Sequence, residues 1–181
     1  MIKDIITEQS LFKEALSKHL GGNYDEALNL YKRILSINPN IAAIHNNIGL
    51  IYSEFNDKSL ALEAFKQAIN LDINFAEAYN NMAIIYEKQG KFDEAILYCQ
   101  KAIKINPNFS KAYNNLGSSL DEIGKANQAV ESFKKSIELN PNLVEPYNNL
   151  GSIYRYSGKY KESIKYYKQA IKIKNNLPNT R

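Results

Sequence analysis

The sequence predicts an all-α solenoid of five 34-residue helix-turn-helix repeats, and three series of residues in register carry that reading. Small residues recur at Ala15, Gly49, Ala83, Gly117 and Gly151. A second small series runs Ala27, Ala61, Ala95, Ala129 and Ser163. A turn series runs Gly22, Asn56, Gly90, Gly124 and Gly158, and Pro39, Pro107 and Pro141 close three of the repeats. Self-similarity at this period marks a chain in which each repeat buries its apolar face against its neighbours. Such a chain offers an extended surface, suited to holding a partner rather than to enclosing a reaction.

The repeats are taken as 8–41, 42–75, 76–109, 110–143 and 144–177, with a lead-in over 1–7 and a tail over 178–181. The first breaks at Gly22 and is the divergent, cap-like end, with Leu11 and Lys18 where other repeats carry aromatics. The second breaks at Asn56, the residue after glycine that best tolerates positive φ. In the third, Tyr79, Met82, Ala83 and Tyr86 fall at i, i+3, i+4, i+7, one helical stripe, and Gly90 ends that helix. A second helix follows from about Phe92 to Ile105, and Asn106-Pro107 stops it because the residue before proline disfavours the α region. The fourth and fifth break at Gly124 and Gly158. The core face of each first helix is assigned to its fourth, seventh, eighth and eleventh positions. Small residues at the eighth and twentieth positions let the two helices approach closely. Tyr31, Phe65, Phe133 and Tyr167 are expected to fill the gap between successive repeats, with Cys99 as a small buried hydrophobe in the third.

Composition excludes several classes. No apolar run approaches the length of a membrane span, and the opening MIKDIITEQS lacks the apolar stretch of a secretory signal. One cysteine cannot form an internal disulfide, so a reducing, cytoplasmic setting is expected. The net charge of +4 is unevenly placed. Residues 1–143 carry 15 Lys and Arg against 17 Asp and Glu, whereas residues 144–181 carry 8 against 2. A positive stripe along the whole chain, which nucleic-acid binding would want, is missing.

The stretches YNNLGSIY, GKFDEA and INPN resemble the tetratricopeptide repeat, and the resemblance spans the five repeats. Departures are local: His45, Leu120, Ile73 and Asn175 join Leu11 and Lys18 in replacing pattern residues. The resemblance implies a right-handed superhelix whose concave groove is lined by the faces of the first helices opposite their core. The sixth position on that face reads Lys13, Asn47, Asn81, Asn115 and Asn149.

An amide side chain offers two donors and an acceptor, matching a peptide backbone of any sequence. First helices about 8–10 Å apart and a strand rising about 3.3 Å per residue would let one asparagine engage roughly every third residue of a bound segment. This is similar to the asparagine ladder in the tetratricopeptide arm of O-linked N-acetylglucosamine transferases. The carry-over covers Asn47, Asn81, Asn115 and Asn149, with Asn46, Asn80, Asn114 and Asn148 placed on the flank to assist. The ninth position adds an apolar floor at Leu50 and Ile84, then turns polar at Ser118 and Ser152.

The expected function is therefore a scaffold binding an extended protein or peptide segment, without catalytic residues, metal or cofactor. A substrate-recruiting arm of a larger enzyme, such as a glycosyltransferase, is the alternative. The carboxylate clamp of cochaperone relatives is lacking, since Phe12, Leu16, Asn46 and Leu50 occupy its places. His19 and His45 have no second ligand at metal spacing, and no phosphate loop, GxSxG or HExxH occurs. In GKYKESIKYYKQAIKIK, Tyr160, Ile164, Tyr167, Ala170 and Ile171 read as the buried stripe and Lys161, Lys165, Lys168 and Lys172 as a solvated face. Tyr166, Tyr167 and Ile173 are expected to be uncovered at the C-terminal repeat and to drive self-association.

Overall fold

The computed structural model describes residues 2–176, with side chains from Glu8 onward. Among these residues all regular structure is helical. The chain forms two compact units, residues 1–85 and 86–181, whose boundary falls within one helix. The first holds α1 (Ile2–Leu20), α2 (Tyr24–Ile37), α3 (Ala42–Glu54), α4 (Lys58–Leu71) and most of α5 (Ala76–Glu87). The second holds α6 (Phe92–Ile105), α7 (Ser110–Glu122), α8 (Ala126–Leu139), α9 (Glu145–Tyr156) and α10 (Tyr160–Asn176). The helix α1 already begins at Ile2, so the lead-in over 1–7 is helical from there. The tail at 178–181 lies outside the described residues.

Each predicted break is a left-handed turn. The φ of Gly22, Gly90, Gly124 and Gly158 lies between 72° and 78°, and Asn56 adopts 59°. The next residue donates its N–H five residues back, as in Asp57 N to Tyr52 O at 2.9 Å and Lys125 N to Leu120 O at 2.9 Å. That bond satisfies a carbonyl left over at the helix end, and only a residue tolerant of positive φ lets the chain turn back to make it. Second helices stop differently. Asn38, Asp72, Asn106 and Asn140 take extended backbone, and each side-chain Oδ1 accepts the N–H two residues on, at 2.9–3.2 Å. Because Asp72 does this with Ile73 following, the Asx turn, and not proline alone, ends these helices.

Packing within a repeat has a specific origin. A Cβ on Gly49, Gly117 or Gly151 would lie 2.6–2.8 Å from the ring of Phe65, Phe133 or Tyr167 respectively. The rings of Phe65, Phe133 and Tyr167 thus lie against the first-helix backbone of their own repeat, while Tyr31 reaches the following repeat at Asn47. In the third repeat the same two positions hold Ala83 and Cys99, each of them buried.

Two burial assignments change. Ile44 and Ile51 of α3 join Ile48 and Gly49 in the core, whereas His45 and Tyr52 stay half-exposed. The first helix is gripped on two sides, by its own partner helix and by Leu30 and Ile34 of the preceding repeat. Its buried arc is therefore wider than one stripe. On α10, Tyr160, Ile164 and Ile171 are exposed while Ser163 and Ala170 are buried, the reverse of the expected stripe for the first three. The residues expected to be uncovered, Tyr166, Tyr167 and Ile173, are half-buried, with Tyr166 stacked on Tyr154 at 5.4 Å. The stripe at Ile164 and Ile171 is the one a following first helix covers, and no described helix follows.

Candidate functional site

The four sixth-position asparagines share one helical face with the ninth-position residues. All four are half-exposed, as are Leu50, Ile84, Ser118 and Ser152, while Lys13 is exposed. Both units therefore present a row of amides beside a shallow floor, apolar in the first and polar in the second. Asn47 and Asn81 lie in the first unit, Asn115 and Asn149 in the second.

The fifth-position asparagines behave differently from their neighbours. Asn46 and Asn80 are buried, 6% and 4% exposed, Asn114 is half-buried, and Asn148 is exposed. Asn46 and Asn80 thus turn inward, where they do not flank an open face. Asn81 Nδ2 donates to Asn46 Oδ1 at 2.9 Å, and Asn149 Nδ2 donates to Asn114 Oδ1 at 3.3 Å. In each unit, then, an asparagine of one repeat is anchored by the asparagine 35 residues earlier. A buried amide left without a partner would cost about 1–3 kcal/mol, so these bonds are conditions of folding as well as features of the face. They also fix each amide's orientation: the Oδ1 of Asn81 and of Asn149 is the arm the anchor does not use.

Asn47 is anchored in another way. Its Nδ2 donates to Tyr31 Oη at 3.3 Å, and His19 Nδ1 stands 3.3 Å from the same hydroxyl. Tyr31 is fully buried, and burial raises its pKa from the ordinary phenol value, partly offset by the Asn47 bond. Burial lowers the His19 pKa, with Glu54 opposing. Both groups therefore stay neutral around pH 7 and act as positioning contacts. Sequence reasoning placed Tyr31 between repeats but missed this link, because helical spacing does not give the hydrogen-bond partners of its hydroxyl.

Reactive chemistry finds no support at Cys99. It is fully buried, and desolvation followed by the Glu87 charge pushes its thiol up to about 12. Among the described residues there is no cluster of three or more His, Cys, Asp or Glu that could hold a metal, and no helix is long and apolar enough to cross a membrane. Two clefts of about 350 Å³ occur, one beside Phe12, Ile34 and Ile41 and one beside Pro141, Tyr147 and Ile173. Neither cleft includes a sixth-position asparagine.

Stacked helix pairs with left-handed turns and a face of anchored amides define a repeat scaffold of the protein-interaction class. The chain belongs to the tetratricopeptide repeat family: profiles of that family match residues 8–74 and 111–176, 76–109 and 59–90. Among solved structures, a crystal structure of MamA is 28% identical, with a TM-score of 0.74, covering 89% of this chain and 94% of that one. Pseudomonas aeruginosa pilF is 23% identical with a TM-score of 0.86, over 94% of this chain and 78% of its own. YrrB, described as a TPR protein with an unusual peptide-binding site, is 20% identical with a TM-score of 0.67, over 92% and 86%. The last two establish the shared fold alone. No curated protein matches the sequence significantly.

Proposed function

We propose that this interaction scaffold binds an extended protein segment along the first-helix faces, with Asn47 and Asn81 gripping its backbone on one unit and Asn115 and Asn149 on the other. The observation that carries the reading is the anchoring of Asn81 on buried Asn46 and of Asn149 on Asn114. An amide already held in place loses little rotamer freedom on binding, which lowers the cost of each new hydrogen bond. The carbonyl arms of Asn81 and Asn149 then accept from ligand N–H groups, and Leu50 and Ile84 add apolar contact in the first unit. Asn46, Asn80 and Asn114 serve as supports. Asn148 is exposed. The peptide-binding description of YrrB agrees with this use of the fold.

The test is a titration of a peptide selected for binding to the full chain. Replacing one rung by alanine should weaken binding by about 0.5–1.5 kcal/mol, and replacing all four should weaken it far more. Helicity is checked by circular dichroism. Side-chain amide NMR signals of the four asparagines in the unaltered chain give a second readout, since they should shift on binding. Unshifted amides together with full affinity in a folded quadruple variant would reject the proposal.

Self-association through the last repeat is a second reading, carried by the exposure of Ile164 and Ile171. The charges beside those residues favour a different occupant.

A further inference from the structure

Second helices of earlier repeats bury their twenty-first and twenty-eighth positions beneath the first helix that follows. In the first unit, Leu28 and Leu35 of α2 pack on the core that includes Ile44, Ile48 and Ile51 of α3. In the second, Val130 and Ile137 of α8 pack on the cluster that includes Leu150 and Ile153 of α9. On α10 the same two positions are Ile164 and Ile171, and they are 54% and 59% exposed. Tyr160, one turn earlier on the same stripe, is also exposed. Asn148 completes the surface. Its equivalent one repeat earlier, Asn114, accepts from Asn149, whereas Asn148 is open to solvent.

The border of this stripe is charged in a way that earlier repeats do not share. At the eighteenth, twenty-second, twenty-fifth and twenty-ninth positions α10 carries Lys161, Lys165, Lys168 and Lys172, all exposed. The same places read Asp25, Asn29, Lys32 and Ser36 in α2, and Asn127, Glu131, Lys134 and Glu138 in α8. At about 100° per residue the four lysines form one column beside Ile164 and Ile171.

A second copy fits this surface poorly. Setting α10 against α10 would oppose two lysine columns. Stacking α1 there would present Ser10 and Ser17, both exposed, where α3 offers Ile44 and Ile51 to its preceding repeat. A lipid layer would satisfy the apolar stripe and the lysines but gives Asn148 no built partner beside the stripe.

We propose that this face of α10 docks an acidic amphipathic helix of a partner protein, lying on α10 as α9 lies on α8. The partner's apolar residues cover Ile164 and Ile171, carboxylates on its flank pair with the lysine column, and a polar side chain meets Asn148. The stripe and the lysine column lie on α10 and the asparagine rows on first helices, so the two ligands are separable.

The test uses the full chain and a crosslinked helical peptide that carries the covering residues of α9, Leu150 and Ile153, with glutamates on the lysine-facing flank. A control peptide has lysines at those positions. Fluorescence anisotropy should show the glutamate peptide binding about tenfold or more tightly than the control, and weakening as salt is raised. The combined Lys161→Glu, Lys165→Glu, Lys168→Glu and Lys172→Glu variant should lose about tenfold for the glutamate peptide and gain for the control. The Ile164→Ser/Ile171→Ser variant should lose affinity for both. The four asparagine-to-alanine variants should bind the peptide as the parent does, which separates this surface from the amide rows. Equal affinity for the two peptides, no binding, or an unchanged quadruple-lysine variant would overturn the proposal. Capture by phosphatidylserine vesicles without peptide binding would reassign the face to lipid. A concentration-dependent dimer lost in Ile164→Ser/Ile171→Ser, again without peptide binding, would reassign it to a second copy.

Discussion

Asn81 supports the fold as well as the proposed ligand face, since its Nδ2 donates to the Oδ1 of buried Asn46. Asn81→Ala should therefore destabilise the fold by about 1–3 kcal/mol by orphaning the Asn46 carbonyl. Asn46→Ala combined with Asn81→Ala should cost less than the sum of the single changes, as urea denaturation of the four chains would show. Ser119 gives the opposite case. It is fully buried and its hydroxyl has no hydrogen-bond partner, at a position that holds Ile51, Ile85 and Ile153 in three of the other repeats. Ser119→Ala should leave stability equal or raise it by about 1 kcal/mol, and a lower denaturation midpoint would refute that. Cys99, its thiol pushed up to about 12 by burial and Glu87, should resist thiol reagents at neutral pH until the chain unfolds. The sixth-position asparagines were legible from spacing alone. The inward turn of Asn46 and Asn80 was not, because one helix's periodicity cannot register the preceding repeat packed against its side.

Helices and turns were the most legible level. The turn series predicted all five left-handed residues, since positive φ restricts the choice to glycine or asparagine. At Asn56, glycine should be tolerated and a β-branched residue should not. The predicted limits Phe92 and Ile105 are those of α6. What spacing could not give was the partner of each small residue: Gly117 lies beneath Phe133, and a Cβ there would sit 2.7 Å from its ring. Gly117→Ala should cost about 1–3 kcal/mol. Phe133→Cys in the Gly117→Ala background should cost less than in the parent, because a smaller residue at position 133 makes room for the added methyl group. A thermodynamic cycle showing strict additivity would mean that glycine and ring are not in direct contact.

For the molecule as a whole, the repeat period alone pointed to the family, and the division of charge marked the last repeat as different. The sequence could not reveal which stripe of α10 is covered. Tyr160, Ile164 and Ile171 have the spacing of a core, and only the lack of a described helix after α10 turns them outward. Both proposed surfaces follow from one rule: a first helix is fixed on its inner sides by neighbours, leaving an outer face for the proposed ligand, and no described helix covers Ile164 and Ile171 of α10. The salt response should separate them. Binding at the amide rows should change little with ionic strength, whereas binding at the lysine column should fall steeply. The central claim, that anchored asparagines read peptide backbone, is tested most directly by backbone N-methylation of a peptide that the chain binds. Methylating successive N–H groups should weaken binding at roughly every third position, while exchanging side chains at those positions should matter little. Unchanged affinity throughout the N-methyl series, with strong dependence on one side chain, would contradict it.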